Sequence, residues 1–129
     1  MSPFAAFTSS FLITLVALLG VVATGLRAKR KAHLTLVALT VISLGVTIYF
    51  AERLGDTLDL DAAGAITPIH LFLAKLTVAL YLAPVATGIA TIRNPRRRRL
   101  QCIVAFLTVG LTVVTAATGT WMALAAPPL

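Results

Sequence analysis

Residues 4–26 read "FAAFTSSFLITLVALLGVVATGL", without one charged side chain. A helix needs about 20 mostly apolar residues to cross the hydrocarbon core of a bilayer, and this stretch meets that length. Three more stretches share its character, at roughly 33–53, 68–92 and 100–125. The second reaches charge only at Glu52 and Arg53, the third holds Lys75 and His70, and the fourth holds none. Leu, Val, Ala, Ile and Thr fill all four. Threonine is tolerated in such helices because its hydroxyl can bond a backbone carbonyl of the preceding turn.

The whole composition agrees. Of 129 residues, 59% are hydrophobic and 12% charged, and mean hydropathy is +0.98. A soluble domain carries about 25% charged residues, so this chain needs an apolar solvent. The expected fold class is therefore all-α: an integral membrane four-helix bundle of antiparallel up-down spans, forming a single transmembrane domain over residues 1–129. The first stretch reads as a retained span. Its basic block follows the apolar run, whereas a cleaved signal peptide carries its basic region before it.

The charge pattern orients the spans. The net charge of +7 comes mainly from two blocks: Arg27, Lys29, Arg30 and Lys31, then Arg93, Arg96, Arg97, Arg98 and Arg99. All four acids, Glu52, Asp56, Asp59 and Asp61, lie within residues 52–61. Basic loops stay in the cytoplasm. Loops 1–2 and 3–4 are then cytoplasmic, beside anionic headgroups, and both termini lie outside. The expected location is the cell inner (cytoplasmic) membrane. The arginine run does not point to nucleic acid, because a short loop between spans has no aromatic platform or docking element.

Two hairpins share vocabulary. "VATG" occurs at 22–25 and at 85–88, and "LTV" at 39–41 and 107–109. A tandem hairpin repeat follows if the second loop carries a few extra residues. It places Thr47 on Thr115 and His33 on Gln101. Small residues that could seat close helix crossings include Gly20 and Gly25, Ser43 and Thr47, and Thr115 and Gly119.

The candidate polar site collects His33, Gln101, Glu52, His70, Lys75 and Tyr49. His33 opens span 2 and His70 opens span 3, at opposite faces of a core about 30 Å thick. They cannot ligate one metal, so each reads as an interfacial residue at a helix end. Lys75 lies about 10 Å inside span 3. It either pairs with Glu52, with Tyr49 as a further hydroxyl partner, or snorkels to the outer interface. Pro84 predicts a kink, because it frees the carbonyl of Leu80. Pro68 suits a helix start, and Trp121 an interfacial anchor. Cys102 is the only cysteine, so no intrachain disulfide forms. No phosphate-binding glycine loop, HExxH or nucleophile elbow is present, and the expectation is a non-enzyme without metal or cofactor.

With His33, Ser43, Tyr49, Leu73-Ala74, Pro84, "LQCIVA" and "TAATGTWMAL" in place, spans 2–4 resemble the CtaM-like (YozB-like) small membrane proteins linked to cytochrome oxidase assembly. That resemblance implies four core spans and a role beside a haem-copper oxidase. It also implies histidines where this chain has Gln101, Lys75 and Arg53, and only His33 carries over. Glutamine is a poor ligand for haem iron or copper, so the resemblance leaves His33 and Gln101 as a hydrogen-bonding pair rather than a metal site. The expected function is an accessory subunit or assembly factor of a respiratory redox complex, with the lipid bilayer and a larger membrane complex or a homo-oligomer as partners. The alternatives are a proton or small-solute carrier using Lys75 and Glu52, and a haem-binding electron carrier.

Overall fold

The computed structural model describes all residues, 1–129. It is all-α and has no β-strand, and its four long apolar helices are compatible with a membrane four-helix bundle. Helix α1 spans Pro3–Leu26, α2 Arg30–Gly55, α3 Ile66–Leu80, α4 Leu82–Arg93 and α5 Arg98–Ala125, with a short 3-10 turn at Pro95–Arg97. α3 and α4 together form one crossing, so the chain is a multi-pass membrane protein with four spans. The helices overrun the apolar stretches by two or three residues at several ends. Hydropathy marks where the hydrocarbon stops, whereas backbone hydrogen bonding continues into the headgroup region.

The ends follow local rules. Ser2 is extended, and its Oγ accepts from the Ala5 N–H at 3.2 Å, with Pro3 in the first turn. At the far end of α1, Ala28 takes a left-handed φ of 55°. That turn lets the N–H of Lys29 reach the carbonyl of Thr24 at 3.0 Å, and α2 starts one residue later. The break expected near Pro84 falls at Tyr81, between α3 and α4. The N–H of Tyr81 divides between the carbonyls of Thr77 (3.1 Å) and Val78 (3.3 Å), a tightening of the turn. Pro84 supplies no N–H to continue the ladder.

The chain divides into two compact units, one over residues 1–58 with Leu129, the other over 59–128. The first is the hairpin of α1 and α2, and the second is the hairpin of α3–α4 with α5. Inside the first, the buried face of α1 is Ala6, Ser10, Thr14, Ala17 and Leu18, at helical spacing. It meets Ser43 and Thr47 of α2, where Thr40 is also buried. In the second unit the buried residues include Thr67, Thr77, Thr108 and Thr112. Large apolar side chains point the other way: Val16 is 69% exposed, Ile42 66%, Phe72 67% and Val113 57%. This is the reverse of a soluble core. Lipid solvates leucine as well as a core does, so close contact between helices falls to small and hydroxyl-bearing residues.

Candidate functional site: two hydroxyl-lined helix seams

In the first hairpin the seam centres on Thr14, which is 3% exposed. Its Oγ1 lies 2.6 Å from Ser43 Oγ and 2.9 Å from Thr47 Oγ1. The carbonyls of Ser10 and Ser43 also accept, from Thr14 and Thr47, both at 2.9 Å. Each hydroxyl has one proton and two lone pairs. Three protons meet four short contacts: Thr14 donates to the carbonyl of Ser10, Ser43 donates to Thr14, and the Thr47 proton is shared between Thr14 Oγ1 and the carbonyl of Ser43, so every oxygen in the cluster is engaged. Buried polar atoms in hydrocarbon have no water to fall back on. No buried side-chain nitrogen or oxygen in the chain is left without a partner.

At the loop end of this seam stands His33. Its Nδ1 lies 3.0 Å from the carbonyl of Val21 and 3.3 Å from Thr24 Oγ1. A carbonyl only accepts, so Nδ1 is the donor in that contact. Gly25 makes room for the ring: a Cβ there would lie 3.2 Å from Cε1. Further along, Gly20 would meet Leu36 Cδ1 at 3.0 Å. Tyr49, at the opposite end of α2, accepts from Arg53 Nε and Nη2, each at 3.3 Å, with the guanidinium 5.5 Å from the ring centroid. The hydroxyl expected to serve Lys75 or Glu52 thus has an arginine one turn away as its partner.

The second hairpin repeats the plan. Thr77 and Thr115 face each other at 2.7 Å, and Thr77 donates to the carbonyl of Leu73. Tyr81 Oη lies 3.0 Å from Thr112 Oγ1. His70 Nδ1 lies 3.1 Å from Thr118 Oγ1, and a Cβ on Gly119 would come within 2.7 Å of the ring. Gln101 takes the place that His33 has in the first hairpin. Its Nε2 would lie 3.3 Å from a Cβ on Gly88, the glycine of the second "VATG".

The correspondence runs the length of the seam. Thr14 with Thr47 matches Thr77 with Thr115. Thr40 and Thr108 are each 3% exposed, and each bonds the carbonyl four residues back. Thr24 and Thr87 each share the carbonyls three and four residues back. Sequence reading found the pairs of the second helix and missed Thr14 with Thr77. The signal was available, since these two are separated by the same interval as the two "VATG" copies.

The hairpins also differ in instructive ways. His70 and Thr118 stand where the first hairpin has Phe7 and Phe50, and Tyr81 and Thr112 where it has Leu18 and Leu44. The three-hydroxyl cluster is confined to the first, because Leu111 replaces Ser43. Lys75 is exposed and lies two residues from Thr77, about 200° around the helix from the seam. Glu52 is also exposed on α2. Within either hairpin, no three His, Cys, Asp or Glu side chains gather to hold a metal. What the seams do chemically is join helices: they hold short hydroxyl contacts and consume their own polar groups. In comparisons with known proteins, no family model, no curated protein and no solved structure matches the chain.

Proposed function

We propose that this is a non-catalytic membrane protein that works by packing its helices against a larger membrane partner. The specific form we propose is an assembly factor or accessory subunit of a respiratory redox complex of the cytochrome oxidase type. One observation carries the packing reading: the buried hydroxyls and the histidine of each hairpin serve its own seam, while its outward faces carry rows of large apolar side chains. Chemistry on a substrate needs polar groups aimed at an open site, and these are aimed inward. Lys75 and Glu52 are the outward charges that a partner would meet. The resemblance of spans 2–4 to the oxidase-assembly family supports the respiratory form.

In this reading the protein lies in the inner membrane with its basic loops cytoplasmic and both termini outside, as the positive-inside pattern favours. Cysteines placed at Asn94 and Ala62, with Cys102→Ser as background, are expected to react with impermeant reagents from opposite sides. Labelling of both from one side contradicts this topology.

Purification from native membranes in mild detergent tests the function. Mass spectrometry of the purified material is expected to show subunits of a redox complex enriched over a mock purification. The chain freed of partners is expected to give no reduced-minus-oxidised haem band. Absence of any redox-complex subunit, or a haem band in the isolated chain, overturns the proposal.

A further inference from the structure

Beside the contact of Gly88 with Gln101, a groove of about 180 Å³ opens between α4 and α5, lined by Ala86, Thr87, Ala90, Arg97 and Leu100. Its composition is divided. Ala86 and Ala90, one turn apart on α4, make an apolar wall, and Leu100 closes the other side. Arg97 stands at the loop end, within the run Arg96–Arg99. From Ala90 to Ala86 the groove descends about 6 Å along the helix axis. Thr87 adds no free donor, because its hydroxyl is bonded to the carbonyl of Ala83 at 2.9 Å.

The first hairpin shows what is particular here. Seven residues separate Gly25 from His33, and twelve separate Gly88 from Gln101. The additional length carries most of the arginines. Where the second hairpin has Ala90, the first has Arg27, a side chain long enough to fill such a groove. The second hairpin thus has a methyl group at this position and carries its cations in the loop, with Arg97 at the groove. No acidic residue follows Asp61, so no side-chain carboxylate on this hairpin's loop competes for Arg97.

We propose that this groove seats one anionic phospholipid, with its phosphate at Arg97 and the upper part of an acyl chain along Ala86, Ala90 and Leu100. A basic pocket between spans at headgroup level suits such a lipid, and arginine matches phosphate oxygens with paired donors. A free phosphate would use the cations alone, whereas a lipid uses cations and apolar wall together. The seat exists with or without a protein partner.

Native mass spectrometry of the full chain, titrated with phosphatidylglycerol and phosphatidylcholine of identical acyl chains, tests this. One phosphatidylglycerol is expected to be retained preferentially. Arg97→Gln is expected to weaken that retention roughly fivefold. Ala86→Leu is expected to weaken it as well, without changing any charge. Ala86 is exposed, so the variant fills the groove and spares the helix contact, and Ala90→Leu serves as a second filling variant. Equal retention of the two lipids overturns the proposal, as does undiminished preference in Arg97→Gln. Undiminished preference in both leucine variants overturns it too, by leaving only the diffuse field of the arginine run. So does displacement of the lipid by equimolar glycerol 1-phosphate, which would make the site one for the anion alone.

Discussion

Gly119→Val is expected to lower the unfolding free energy of the purified protein by about 1–3 kcal/mol, the range for overpacking a close contact. A Cβ at position 119 already falls 2.7 Å from His70 Cε1. The ring cannot swing away freely, because its Nδ1 is held 3.1 Å from Thr118 Oγ1. Valine adds two methyl groups to the same space, so either the ring leaves Thr118 or the helices separate. The cause is separable from a general intolerance of bulk. Ala51 occupies the matching place in the first hairpin and is exposed, so Ala51→Val is expected to change stability by less than about 0.5 kcal/mol. In a His70→Ala background the penalty of Gly119→Val is expected to shrink. Denaturant titration in mixed micelles, followed by far-UV circular dichroism, reads all three. An undiminished penalty after His70 is removed contradicts the assigned contact.

Thr14→Val is expected to cost about 1–2 kcal/mol and to exceed Thr77→Val, which is expected near about 0.6 kcal/mol, the average for one hydrogen bond between membrane helices. The substitution preserves shape and removes the hydroxyl. Thr14 engages two hydroxyls across its seam, at 2.6 and 2.9 Å. Thr77 engages one across the helices, at 2.7 Å. Thr47 keeps the carbonyl of Ser43, whereas the buried Ser43 hydroxyl loses its contact with Thr14, which adds to the cost. The same titration serves, and a Thr77→Val penalty equal to or above that of Thr14→Val contradicts the difference between the seams.

Much of the fold was legible because the bilayer imposes a coarse rule. A long uncharged run such as residues 4–26 has few ways to satisfy its backbone in hydrocarbon other than as a helix. The exact ends were less legible. Arg30 and Arg98 begin helices although their charge ends the apolar stretches, since helical hydrogen bonding does not depend on hydropathy. The break at Tyr81 was readable from Pro84, three residues on. The seams were only half visible. Thr47 and Thr115 drew notice through small-residue spacing, but Thr14 and Thr77 sit among other threonines and serines with no local mark. Only their common interval from the "VATG" copies sets them apart. The glycine seats under His33, Gln101 and His70 depend on helix rotation, which spacing alone fixes too coarsely. The side chains that looked most chemical, Lys75 and Glu52, lie away from the seams, because a charge is costly between two closely packed helices.

The central proposal is that the outward apolar faces meet a larger redox complex. Site-specific photo-crosslinking in native membranes tests it most directly, with a photoreactive residue placed at Val16, Ile42, Phe72 or Val113, and at Thr14 and Thr77 as inward controls. The expected result is adducts between at least one outward position and a subunit of a respiratory redox complex, with only intrachain adducts from the inward positions. Adducts limited to lipid or to the chain itself at all four outward positions would contradict the proposal.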